Sequence, residues 1–399
     1  MSDRKFFRWG LFLALLLAAF GVAAAPFLPK NDSVVVETLP SKAGDPAAAE
    51  LRRLRAAVAA APADAGPASR LARLYFNLAM AQGDPRYVGY ADVALRAWPE
   101  TAASPPEILT LKGMLRQYRH DFAGAMADFD LALKSDPGNS EARAWRAAIL
   151  MVQADYAAAR QECALLAAIA TELHATACTA YVDATTGRAR AAHENLSSAL
   201  ARRNDVEPGF RVWILTRLAE MAWRNGDLAM AERHFRAGLA LGIDDNFILA
   251  AYADFLLERN RAADVLALLK NWSRSDTLLL RLALAARSLK VPEGEKHVRA
   301  LAKRFADAAL RGEKLHLQEE ARFLLDLKGD ARAALAAASE NYRTQREPRD
   351  AQVLLDAALA ARDAAAAAAA APALRWLETA GFEGARIRDT AARVKALGK

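Results

Sequence analysis

One spacing constrains this chain more than any other feature. Gly113 is followed twelve residues on by Ala125, four further by Phe129, three further by Ala132 and five further by Pro137. The same offsets return as Ala147, Ala159, Cys163 and Leu166, and then as Ala180, Ala192, Leu196 and Ala199. After a lengthened stretch at 202–208 they return as Ala219, Ala231, Phe235 and Gly238, and next as Ala253, Val265, Leu269 and Trp272. Ala286, Val298, Ala302 and Phe305 follow more loosely, and Ala79, Ala91, Leu95 and Trp98 fit one period before Gly113. A fixed period of about 34 residues marks stacked supersecondary units. Small residues facing each other let two helix backbones approach, and the larger ones fill the groove against the next helix.

Turn signals fall where helical hairpins need them, at Arg119-His120-Asp121, Thr186-Gly187, Asn225-Gly226-Asp227 and Lys328-Gly329-Asp330. No segment alternates with period two, so strands are not expected. With its recurring ladder, the chain resembles the tetratricopeptide repeat family. The signature residues are Gly113, Ala125, Phe129, Ala132, Pro137, Ala147, Ala159, Ala219, Ala231 and Phe235. The resemblance implies an all-α, superhelical solenoid of antiparallel helix pairs that binds other proteins. It covers 69–310 well. Residues 315–347 and 351–378 look paired and helical but match the ladder poorly. The expected organisation is a signal or anchor at 1–28, a linker at 29–47, the repeat array at 48–310, and divergent repeats with a cap at 311–399.

The N-terminus reads as a targeting segment. Arg4, Lys5 and Arg8 precede an uncharged run from Trp9 to Pro29, and Val22-Ala23-Ala24-Ala25 supplies small residues for cleavage. Two alternatives stand: a cleaved signal, or an uncleaved tether through 9–28, where about 20 residues suffice to cross a bilayer. Both place the repeats across the membrane from the positive charges. Alanine richness favours helix and suggests a GC-rich bacterial genome, so the expected compartment is the periplasm. The net charge of +7 is mild and dispersed. With no aromatic-interleaved basic patch, nucleic acid is not an expected partner.

Cys163 and Cys178 are the only thiols. The register puts them at one height on adjacent antiparallel helices, where an oxidising compartment favours a disulfide. Packed helices usually run 8–10 Å apart, which leaves two buried free thiols as the alternative unless Ala164, Ala167, Ala175 and Ala177 permit closer approach. The six histidines are scattered, and there is no HExxH, paired CxxC, phosphate-cradling loop or nucleophile elbow. No enzyme activity, cofactor or metal is expected.

The resemblance further implies that the first helix of each pair lines a concave groove. The candidate partner-binding residues on that face are Met114, Tyr118, Trp213, Glu220, Trp223, Arg224 and Asp254. Trp213 and Trp223 with Glu220 and Arg224 form the most anchor-like group, since aromatic and arginine side chains dominate interface energetics; inter-repeat core is the alternative role for both tryptophans. The basic and asparagine carboxylate clamp of some family members is absent from these positions. The expected function is a non-enzymatic scaffold of the bacterial envelope, binding a partner protein or peptide. The second expectation is an accessory subunit of envelope glycan or polysaccharide export machinery.

Overall fold

The computed structural model describes residues 29–31, 33–35, 46–313 and 316–398. The proposed signal or anchor at 1–28 lies outside these, as does most of the linker. The chain divides into two units, residues 1–50 and 51–399. In the first, Asn31 closes a short turn: its side chain accepts from the Ser33 amide at 3.0 Å, and its carbonyl accepts from the Val34 amide at 3.2 Å. Val35 is exposed, and the helix Pro46–Ala60 begins at the end of this unit.

In the second unit, helices succeed one another as antiparallel hairpins. Ala65–Gln82 pairs with Arg86–Leu95, Pro106–Tyr118 with Phe122–Ser135, Ser140–Val152 with Tyr156–Ala167, and Glu172–Thr185 with Ala189–Ala201. Pro208–Arg224 then pairs with Leu228–Leu239, Asn246–Glu258 with Ala262–Leu269, and Asp276–Ser288 with Glu293–Leu310. Among the described residues there is no strand, and no helix is long and apolar enough to cross a membrane. The all-α architecture expected from the ladder is the one observed.

The ladder is the packing. Ala125, Phe129, Ala132, Ala159, Ala219, Ala231 and Phe235 are fully buried, and Ala147 nearly so, while Pro137 lies exposed in the turn. A Cβ on Gly113 would sit 2.5 Å from Cε1 of Phe129, so the ring occupies the space a larger residue would need. Within the hairpins the turns are also repeated. A left-handed residue ends the first helix, and the next residue caps the second. His120 and Ala154, then Gly226 and Asn260, take positive φ at the same repeat position. Asp121, Asp155 and Asp227 follow three of these and accept from the amides three residues on at 2.9–3.1 Å.

The structure joins Cys163, on the second helix of one hairpin, to Cys178, on the first helix of the next, with Cα atoms 5.5 Å apart. Closing a loop of 15 residues confines the unfolded chain, a stabilisation of about 3 kcal/mol. The double variant Cys163→Ser, Cys178→Ser is therefore expected to lower the unfolding free energy measured by urea titration by about 3 kcal/mol, and to become insensitive to reductant.

Asp128 is a buried carboxylate on the second helix of the 106–135 hairpin. Burial pushes it up to about 6, outweighing Arg116, whose Nη1 lies 3.1 Å away. The folded state thus binds a proton that the unfolded state has released between roughly pH 4 and 6. Stability from this group is gained as pH falls through 6 and is absent above it. Between pH 7.5 and 4.5 the wild type should gain about 2 kcal/mol relative to Asp128→Asn in urea titrations.

Beyond residue 310 the pattern changes. Leu317–Arg322 runs on into a π-turn, Phe323–Lys328, before Ala331–Tyr342, Pro348–Ala361 and the closing helices to Leu397. These helices pack back on the array. Trp376 donates from Nε1 to the Tyr156 hydroxyl at 2.6 Å, and Glu383 accepts from the Ala189 amide at 2.7 Å. The first hairpin also returns on later ones. A Cβ on Gly83, where φ is +63°, would lie 2.7 Å from Ser275 Oγ and 3.1 Å from Asn246 Oδ1. Residues 51–398 therefore curl until widely separated hairpins meet.

Candidate functional site

The inner face of this curl is lined by the first helices, and a stretch of the chain itself lies along it. Gln345 donates from Nε2 to Nδ1 of His120 at 3.2 Å, and the Arg346 amide donates to the Val152 carbonyl at 2.7 Å. The Tyr181 hydroxyl donates to Glu347 Oε1 at 3.0 Å. The Arg349 guanidinium lies over the Phe247 ring at 4.6 Å. One short segment thus touches four of the five hairpins between residues 106 and 269. Glu347 is extended, with φ −71° and ψ 160°, because Pro348 follows it and opens the next helix.

Charge is concentrated here. Arg217 is buried in the middle of the helix Pro208–Arg224, with its guanidinium 4.6 Å from the Tyr181 ring centre, 5.6 Å from Trp213 and 4.4 Å from Phe247. Two arginines thus bracket Phe247, an arrangement favoured by the ring quadrupole. Arg217 also donates to Glu220 at 2.8 Å, while its Nε is buried without a partner. Burial pushes the Glu347 carboxyl up, but Arg349, Arg217 and the Tyr181 hydroxyl outweigh it and hold it below its ordinary value. Asp350 goes the other way: burial, and then the Glu347 carboxylate, raise it well above the usual range. Its two oxygens accept from Asn341 Nδ2 and from the Glu347 amide, both at 2.9 Å.

The candidate residues fall into separate clusters. Trp213 stacks on Phe210 at 6.0 Å and meets the edge of Tyr181 at 6.1 Å, and Arg217 connects it to Glu220. Trp223 sits edge-on to Phe255 at 5.4 Å, within the apolar packing of the next hairpin. Arg224 donates to the Ala184 carbonyl at 2.7 Å and covers Phe382 at 4.9 Å. Met114 is buried, with Arg73 3.6 Å from its sulfur. Burial and the carboxylates of Asp84 and Asp276 push the Tyr118 hydroxyl up to about 12. Asp254 accepts from Arg281 at 2.6 Å and from Arg322 at 2.9 Å. Of the seven, Trp213 and Glu220 reach Arg217 itself, and Arg224 adjoins them through its Nε, which donates to the Glu220 carbonyl at 3.4 Å. Tyr181, Arg217, Glu347 and Arg349 complete the cluster and were not anticipated, whereas Phe247, which also belongs to it, falls at a groove-facing position of the repeat; the one sequence signal for the others was an arginine between Leu215 and Leu218.

Fold and face together define an all-α array of tetratricopeptide-like hairpins whose inner face grips a short connecting segment of the chain. No family model matches the sequence, and no curated protein matches it. Among solved structures, the chain is similar to the TPR domain of P58(IPK), with 15% identity, 80% of this chain and 94% of that chain covered, and a TM-score of 0.21. It is also similar to a chain in a structure of Naa15/Naa10 bound to HypK-THB, with 14% identity, 87% of this chain and 60% of that chain covered, and a TM-score of 0.26.

Proposed function

We propose that the protein is a non-enzymatic scaffold that holds an extended segment of a partner protein on its inner face. The observation that carries this is the way the face holds residues 345–349, through a main-chain hydrogen bond, an acidic side chain received by Tyr181 among arginines, and an arginine on an aromatic ring. Aromatic and arginine groups are the side chains that dominate interface energetics. A partner segment carrying a carboxylate in extended conformation exchanges with the chain's own stretch, replacing like contacts with like. We place the protein in the periplasm as an envelope factor. This is supported by the basic, then uncharged N-terminal run and by a disulfide of the kind oxidising compartments sustain.

The test is photo-cross-linking in intact cells. Benzoylphenylalanine replaces Phe247, aromatic for aromatic, and the exposed Leu310 serves as control. Capture of a different protein at 247 and not at 310 is expected. Cross-links from 247 to this chain alone would contradict the proposal.

A further inference from the structure

Away from the inner face, two second helices of successive hairpins bring His193 and His234 together. Their Nε2 atoms are 3.1 Å apart, with ring centres 5.2 Å apart and planes inclined by 60°. Both side chains are half-buried, so one edge of the pair reaches solvent. From this geometry we infer a site for a divalent transition-metal ion of the Zn²⁺, Ni²⁺ or Cu²⁺ class, bound by the two imidazoles with water in its remaining positions.

The distance carries the inference. Metal–imidazole bonds of about 2.0–2.1 Å, at angles between square-planar and tetrahedral, hold the two nitrogens about 2.9–3.4 Å apart. The rings therefore already stand at the separation that coordination requires, and only small rotations are needed to aim both nitrogens at one point. Asp227 acts electrostatically on both rings and Glu194 on His193, and these carboxylates favour a cation; Arg233, beside His234, opposes it. Among the described residues no group of three or more histidine, cysteine or carboxylate ligands exists, so binding through this pair is two-legged and open to solvent. Because the rings belong to the helices Ala189–Ala201 and Leu228–Leu239, a bound ion ties one hairpin to the next. The inference is independent of what the inner face binds.

The full chain is titrated separately with Zn²⁺, Ni²⁺ and Cu²⁺ by calorimetry, with Mg²⁺ as the hard-ion control, and Cu²⁺ is followed by electron paramagnetic resonance. One site per chain is expected, with nitrogen hyperfine structure from two imidazoles. His193→Gln and His234→Gln, each checked by circular dichroism, should weaken binding at least tenfold and leave at most one coordinated nitrogen. Binding unchanged in both variants would assign the ion to other histidines and overturn the site. Absence of binding in the wild type would show the pair to be hydrogen-bonded only, which also overturns it.

Discussion

Asp254→Ala should lower the stability of the folded chain by about 3–5 kcal/mol, the range found when one member of a buried charge cluster is removed. Arg281, on Asp276–Ser288, is 2% exposed, and Arg322, on Leu317–Arg322, is also well covered. Both donate to this one carboxylate, and Arg281 also lies 3.6 Å from Glu319. Without Asp254, Arg281 keeps a hydrogen bond to the Thr277 carbonyl and, as its only acidic partner, the more distant Glu319, and its Nε already lacks a partner. The cost comes from stranding cations rather than from the worth of the pair, so Asp254→Asn is expected to lose nearly as much. Burial raises the Asp254 carboxyl, but Arg281 and Arg322 outweigh it and hold it at about 2. A depressed folded value means that its stabilisation is present above the unfolded value near 3.9 and is lost as pH falls through 2. Urea titrations at pH 7 and pH 3 should therefore show the deficit of Asp254→Ala shrinking in acid.

Phe129→Ala is expected to cost about 3–5 kcal/mol, as truncation of a buried aromatic does. Its ring is fully buried against Gly113, so the two residues should be strongly coupled. Gly113→Ala alone drives a methyl into the ring, an overpacking cost of about 1–3 kcal/mol. In the Phe129→Ala background the same methyl enters the vacated space, and the helix recovers the roughly 1 kcal/mol that an interior glycine forfeits. A double-mutant cycle should therefore show Gly113→Ala changing from destabilising to stabilising. Additive effects would mean that the ladder does not describe the packing.

Much of the fold was legible because its cause is local and repeated. A small residue opposite a small residue, twelve apart, sets how closely two helices approach, and that pattern survives in a single sequence. The left-handed turn residue is legible where it is Gly226. The turn is also legible at Arg119-His120-Asp121, though His120 itself gives no sign of its left-handed backbone, and Ala154 carries no turn signal at all. The candidate site was far less legible. Glu347 meets Tyr181, and Arg349 meets Phe247, across more than a hundred residues, and no periodicity encodes a contact made by curvature accumulated over several hairpins. Asp254 reads as a groove residue by its place in the repeat. The structure instead surrounds it with two arginines, one from the divergent region where the ladder fails.

The most direct measurement is amide hydrogen exchange at Arg346, whose N–H donates to the Val152 carbonyl. If the inner face holds this stretch as an exchangeable ligand, the amide is protected well above its intrinsic rate, yet opens before the amides of Phe122–Ser135 in the core of the array. An Arg346 amide exchanging at the intrinsic rate would contradict the hold. One that exchanged only with global unfolding would contradict the exchange.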